Sequence, residues 1–517
     1  MTAISRRAFL GAAAATFPSL RVASGGAEAP PYGRFVPGDA GPSFSSSSGQ
    51  PAGAVPSETD VVIISGDPAG YASAWRLAQS AGIRIVLLQD TAAGMPPAAP
   101  LPDSVADVTP FARGHEACFD QWRDAGCTGW GYADVLPSFK RLERYEAGAN
   151  EYRGGDGPLS VMHCWDPHPL HRSFLLAGVS GGFHQDSRHD FNGPRSQSVA
   201  GYYQKAIKDD RPYAFEAALL DIAPAREAVV RVAGAQVTRV VFDGRRAVGV
   251  EFRQGGTPRT IRAGRAVIVA ARPVRAAQLL LLSGVGPADQ LRGAGVTVVA
   301  DRPGVGRNLH DQLRLPLRWL ALPPSENLPA SSVTAGFFTV SLVASPPDLQ
   351  MDFVDPRAAG GPQLGLDITL VRPSSRGDVR LQSTDPAAAP LVSLNALATD
   401  ADVTALVQGV RLARLVGASP NLDRFRGDEA EAGRSAHSTP DLQAFAKAAA
   451  AARGHLAGTC AMGPAGATNV VVDPRLAVHG VDGLYVVGAA VMPTIVNAPP
   501  DAASLMIGDR GGEFVAG

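Results

Sequence analysis

Two patterns of apolar and polar positions divide this chain. Asp60-Val-Val-Ile-Ile64 and Arg84-Ile-Val-Leu-Leu-Gln89 are short apolar runs, and Ala69 to Ala81 between them has helical spacing. Unbroken runs of this length predict buried strands; strand, turn, helix, strand opens a Rossmann-type unit. Further on, Val237 to Phe242 and Ala247 to Arg253 predict a hairpin about Asp243-Gly244, a dipeptide that supplies the positive φ of a tight turn. Arg265-Ala-Val-Ile-Val-Ala270 returns to the parallel sheet. Between roughly Arg314 and Arg434 the pattern changes to alternation, as in Leu349 to Val354, Leu366 to Leu370 and Asp378 to Leu381. Alternation predicts an antiparallel sheet with one face in water. The fold class read from these patterns is α/β, α+β overall, and no internal repeat interrupts it.

The N-terminal segment is of another kind. Ser5-Arg6-Arg7-Ala8-Phe9-Leu10, a small-residue apolar run to Leu20 and Ala27-Glu28-Ala29 match a twin-arginine export signal with a cleavage site. The expectation is a folded protein delivered to the periplasm or secreted. Pro30 to Ser57 is dominated by Pro, Gly, Ser and Ala and reads as a flexible linker. A length of 517 residues exceeds what one core usually organises, and 45% hydrophobic residues suffice for two. A net charge of -1 with 6% aromatic residues leaves no footprint for nucleic acid, and no apolar run beyond the export segment is long enough for a stable membrane span. Small, near-neutral molecules are the expected partners. Cys118, Cys127, Cys164 and Cys460 show no C-x-x-C spacing, so no zinc site is predicted, and disulfides are neither implied nor excluded.

The C-terminal end carries the chemistry. His455-Leu-Ala-Gly-Thr-Cys-Ala-Met-Gly463 leads into Val471 to Leu484 and then Ala490-Val-Met-Pro-Thr-Ile-Val496. With Gly129-Trp-Gly-Tyr-Ala-Asp-Val-Leu-Pro-Ser-Phe139, Gly155-Asp-Gly-Pro-Leu-Ser160, Leu282-Ser-Gly-Val-Gly-Pro287, Pro303-Gly-Val-Gly-Arg-Asn-Leu309 and Arg372 to Leu381, this series resembles the glucose-methanol-choline (GMC) oxidoreductases through nearly the whole ordered chain. The resemblance implies a Rossmann-type FAD-binding domain and a second, antiparallel-sheet substrate domain. On this chain they are expected at 58–160, 196–313 and 455–517 for the discontinuous nucleotide-binding domain, and at 161–195 and 314–454 for the substrate domain, after the signal at 1–29 and the linker at 30–57. It further implies FAD-dependent oxidation of a CH-OH donor, with a small alcohol as substrate and a separate electron acceptor. The FAD contacts carried over are Gly66, Gly70, Gln89, Val237, Gly488 and Ala489; the catalytic residues are His455, as general base, and Asp501. No metal is implied.

The departures from the family gather at the nucleotide loop. A dinucleotide fingerprint needs glycine for a tight turn, for close approach of the diphosphate, and for helix packing. Those positions hold Ser65, Asp67 and Gly70, so only the packing glycine remains. Asp67-Pro68 reads instead as an N-cap followed by proline at the first helical position, which sets a carboxylate where the diphosphate meets the helix dipole. Gln89 replaces a Glu that binds ribose hydroxyls, Ala270-Ala-Arg-Pro273 replaces a small turn, Gly488 stands where Asp is usual, and Asp103 to Pro110 lacks the flavin-covering Gly-Gly-Ser-Ser motif.

Asp501 falls where the family carries Asn or His. If it meets His455, its carboxylate raises the His pKa and favours imidazolium, a poor base but a good acid. The alternative is a helix cap for Ala502 to Arg510, and Asn497 is a further source of an amide. Two other readings stay open: a flavin-free scaffold using His455 and Asp501 for lyase- or isomerase-like acid-base chemistry, and a secreted binding protein without turnover. His163, His168, His171, His184 and His189 read as a solvated loop, because the prolines between them break any ligand spacing; Cys460 reads as packing. Asn308-Leu-His-Asp-Gln312 permutes the family's Asn-Leu-Gln-Asp-His, and the sequence does not explain why.

Overall fold

A computed structural model of the chain describes residues 55–91, 109–164, 168–193, 199–209, 211–323, 335–341, 346–356 and 362–517. The segment expected to be an export signal, most of the expected linker and most of the 103–110 segment lie outside them. The first apolar run forms the strand Glu58–Ser65, the helical pattern forms Pro68–Ala78, and the second run forms Ile85–Asp90. Asp67 caps this helix and Pro68 follows it, as their chemistry predicts: Asp67 Oδ1 accepts the N–H of Ala69 at 2.9 Å.

Parallel pairing runs Val229–Asp243, Ile85–Asp90, Glu58–Ser65, Thr257–Ala270, Leu484–Val486. Strands at the centre of such a sheet are covered on both faces and therefore read as continuous Val, Ile and Leu. The hairpin is present, with Asp243 paired to Arg246, so Gly244 (φ 57°) and Arg245 make the turn itself. Three helices cover the strand ends that matter here: Pro68–Ala78, Pro273–Leu282 and the terminal Asp501–Ala516. The first and last pack closely, since Ser73 Oγ donates to Gly508 O at 2.8 Å.

The second sheet is antiparallel over most of its width, in the order Arg426–Glu429, Leu313–Ala321, Gln363–Leu370, Leu349–Val354, Ala335–Thr339, Val199–Tyr202, His184–Gln185, the last pair being parallel. Three sequence expectations are corrected. Val199–Tyr202 pairs with Ala335–Thr339 rather than belonging to the nucleotide side. Among the described residues Asp378–Arg380 forms its strand ladder with Leu391–Ser393, apart from the large sheet. The sheet has no open wet face at its centre, because Leu349–Val354 is buried along its whole length and Gln363–Leu370 nearly so. Their apolar side chains face the helices Pro169–Ser180 and Asp400–Gly417, while their polar ones bond to one another and to arginines from neighbouring strands. Alternation correctly marked a two-faced sheet, but the polar face is covered by protein.

Candidate active site

His455 is placed by two neighbouring backbones. Arg453 N donates to Gln312 O, Gly454 N to Asp311 Oδ2, and Ala457 and His310 exchange backbone hydrogen bonds, so the His455 loop is laced to the 308–312 loop. The ring is further held by its Nδ1, 2.8 Å from Gln312 Oε1. The Gln312 amide nitrogen donates to the carbonyls of Val371, Val496 and Ala498 at 3.0 to 3.1 Å, which identifies Oε1 as the acceptor. His455 must therefore carry its proton on Nδ1 and present Nε2 as a lone-pair acceptor. Burial, reinforced by the nearby Arg453 cation, pushes its pKa down to about 3, so the ring is neutral.

This geometry also explains the permuted loop. His310 donates from Nδ1 to Asn308 O at 2.6 Å and accepts the N–H of Ile495 at Nε2, 2.9 Å away, and burial holds it neutral with a pKa of about 3. A histidine at 310 suits a site with one carbonyl and one amide; a glutamine at 312 suits one with an imidazole N–H and three carbonyls. Asn308, in the left-handed region at φ 59°, completes the clamp by donating to Gly458 O and Pro493 O and accepting from Arg376. Glycine is needed at 458 (φ 89°), where a Cβ would lie 2.5 Å from Asn308 O. None of these supporting residues carried a functional signal in the sequence beyond the permutation itself.

Asp501 takes a different place from the one expected. It is the first residue of the terminal helix, with Pro500 in the cap position and no side-chain cap bond, so it is not the cap. Burial raises its pKa to about 6 against the pull of Arg272, and its charge acts on Asp67. Asp501 is not among the groups that act on His455, which are its burial and Arg453, both of which lower its pKa and favour the neutral ring. Asn497 turns its Oδ1 to the N–H of His115 at 2.7 Å and to the Cys118 thiol at 3.3 Å. Beside it lies a cavity of about 50 Å³ walled by residues 112–116, Phe191, Phe338 and Ala498, among others, but by neither His455 nor Asp501.

The carried-over cofactor positions have partners within the chain. Gly66 N and Asp67 N both donate to Ala270 O at 3.0 Å, and Asp67 Oδ1 takes the first available helix N–H. Burial raises Asp67 to a pKa of about 7, with Asp501 adding to the rise and Arg272 opposing it. A Cβ on Gly488 would come within 2.8 Å of Asp67 Oδ1, so the Asp usual at 488 is incompatible with Asp67. A Cβ on Gly70 would approach Ser65 Oγ to 2.5 Å, which confirms its packing role. Gln89 donates to Glu216 Oε1 at 2.8 Å. Val237 donates its N–H to Asp90 and accepts from Arg275 at its carbonyl, and Asp90 and Arg275 are themselves a buried ion pair at 2.7 Å. The Ala489 backbone N–H bonds to the Asp67 carboxylate and its carbonyl accepts from Gly458, so both of its backbone groups are engaged with the chain. As arranged, the loop amides that a diphosphate would meet are bonded to the chain itself, so a bound nucleotide would displace those bonds.

The remaining histidines are not a solvated loop, with the exception of exposed His184. His168 caps the helix Pro169–Ser180, His163 lies between Ser187 O and the Gln204 amide, His171 is buried 3.4 Å from Asp355, and His189 packs on Phe191. The four cysteines are free and buried, and burial raises Cys460 to a pKa of about 12, that of a packing thiol. Among the described residues no group of three or more His, Cys, Asp or Glu is set to hold a metal, and no helix is long and apolar enough to cross a membrane.

A Rossmann-type sheet, an antiparallel sheet beside it, and an oriented neutral imidazole where the two meet define the class of protein. The GMC oxidoreductase pattern matches residues 104–314 in its N-terminal part and 373–508 in its C-terminal part. A protein of Brucella suis biovar 1 (strain 1330) named oxygen-dependent choline dehydrogenase is 30% identical over 530 aligned residues, covering 89% of this chain and 96% of its own. Pyridoxine 4-oxidase from Mesorbium loti superposes with a TM-score of 0.78 at 23% identity over 88% of this chain and 98% of that one. Formate oxidase of Aspergillus oryzae RIB40 does so with a TM-score of 0.79 at 20% identity, over 89% and 98%. This chain belongs to the GMC oxidoreductase family.

Proposed function

We propose that this protein oxidises a small alcohol, with His455 Nε2 taking the hydroxyl proton. The observation that carries this reading is the Nδ1–H bond to Gln312 Oε1, which fixes the tautomer a base requires and leaves the other nitrogen for substrate. The family relation implies FAD, which when bound supplies the acceptor for the hydride. The chain's own part is acid-base and steric: burial keeps His455 neutral and the 308–312 clamp keeps it still. A neutral ring with a pKa of about 3 is always in the form that accepts a proton above that pH.

The named activities of the relatives are reasons to begin with choline and other small primary alcohols as substrates. The test is dye-coupled alcohol oxidation by protein reconstituted with FAD, comparing the parent with His455→Asn. A parent that turns over no alcohol at all, or a variant as fast as the parent, would overturn the assignment. The Arg6-Arg7 segment supports export of the folded protein to the periplasm. Replacing both arginines by lysine should hold a tagged protein in the cytoplasm; unchanged export would remove that part of the reading.

A further inference from the structure

The nucleotide crevice is closed by bonds the chain makes to itself, and at three separate places. At the diphosphate end Asp67 Oδ1 occupies Ala69 N–H, Pro68 has none to offer, and the loop amides of Gly66 and Asp67 already donate to Ala270 O. At the end of the second strand Gln89 is bonded to Glu216. On the neighbouring strand both backbone groups of Val237 are taken, by Asp90 and by Arg275. Each carboxylate comes from outside the fingerprint positions or replaces a glycine within them. Gly488 makes room for the Asp67 side chain, so the substitutions at 67 and 488 form one compatible set.

Resting on the reading that FAD is the cofactor, we propose that this crevice is self-capped, and that FAD enters by displacing these internal bonds, with uptake of a proton at Asp67, as an exchangeable ligand rather than a resident group. The physical reason is charge. An ionised Asp67 beside a diphosphate would set like charges together at a helix terminus that can stabilise only one of them. A protonated Asp67 removes that conflict. The other groups facing Asp67 are Arg272, from the turn before the helix Pro273–Leu282, Asp501 at the start of the terminal helix, and Tyr71 on its own helix. Arg272 is the only cation among them and already faces two carboxyls. Asp67 has a folded-state pKa of about 7 from burial, which places the exchange in the neutral range.

The test is FAD affinity, read by quenching of flavin fluorescence and by equilibrium dialysis, with full-length protein stripped of nucleotide. For one proton taken up by a group titrating near 7, binding at pH 6 should be about tenfold tighter than at pH 8. Asp67→Gly should bind more tightly than the parent at pH 8 and differ less than about twofold between the two pH values. Asp67→Asn, which preserves shape and removes the charge, should also lose the pH dependence and guards against misfolding of the glycine variant. Equal parent affinity at the two pH values, or stoichiometric FAD retained through exhaustive dialysis, would overturn the proposal and leave the cofactor reading standing. Failure of the parent and both variants to bind FAD at either pH would overturn both.

Discussion

Gln312 decides which nitrogen of His455 carries the proton, and it does so because its own amide is tied to three carbonyls and has no freedom to turn over. Gln312→Leu would free the ring to rotate and change tautomer; the expected loss in kcat is about 10- to 100-fold, the usual size of an effect from a residue that orients a working side chain. Gln312→Glu would keep the hydrogen bond and add a carboxylate, which raises the His455 pKa. The acid limb of its pH-rate profile should then lie at higher pH than in the parent, whose limb should fall below pH 5 because His455 titrates near 3. Identical profiles for the two proteins would show that Gln312 is only structural. His455→Asn should lower kcat/KM by roughly 10² to 10⁴, the range for a lost general base.

Among the elements, the crossing of the helices Pro68–Ala78 and Asp501–Ala516 is the tightest constraint near the site. A Cβ on Gly508 would run into the carbonyl of Ala69, which is backbone and cannot move aside. Gly508→Ala should therefore cost about 2 kcal/mol or more of stability in urea denaturation, at the upper part of the range for overpacking. It should also shift Asp501 and Asp67 apart, since these residues begin the two helices. A variant as stable as the parent would mean that the helices part without cost. At the same scale, alternation predicts a wet face on the polar side of Leu349–Val354 and Gln363–Leu370. It is an internal network instead, in which Arg453 bonds Thr369 and approaches Asp352 while Arg318 bonds Asp367. Through Arg453 that network reaches His455.

For the whole molecule, buried ionisable groups make stability depend on pH in a defined direction. Asp67, Asp311 and Asp501 have folded pKa values of about 7, 7 and 6, raised by burial from 3.8, so their contribution is full below the ordinary carboxyl range and is lost as pH rises through the folded values. His310 and His455, held near 3 rather than 6.5, contribute fully above the ordinary value and lose that contribution as pH falls. Between pH 6.5 and 8 the folded histidines stay neutral while their unfolded forms lose the last of their protons, an opposing change smaller than that of the three carboxyls. The urea midpoint of the flavin-free protein should fall across that interval, and Asp67→Asn should flatten the fall. A midpoint that rises with pH there would contradict the burial of these acids.

The order of strands and helices, the helix start at Asp67-Pro68 and the family were legible in the chain because they depend on local spacing and on short segments with fixed chemistry. The candidacy of His455 as a base also came from the residues that flank it. The state of His455 was not legible: it depends on Gln312, Arg453 and the depth of burial, which neighbouring residues in sequence do not report. The same holds for Asp501, for which the sequence left a meeting with His455 and a helix cap both open, and which shares the field of Arg272 and Asp67. Glu216, Asp90 and Arg275 gave no sign at all, since each acts on a partner more than a hundred residues away in the chain or across a strand it does not belong to. Local pattern determined the scaffold and singled out His455 as the candidate base; only the packing of distant segments decided which charges face one another, because electrostatic partners are chosen by proximity in space and by exclusion of water.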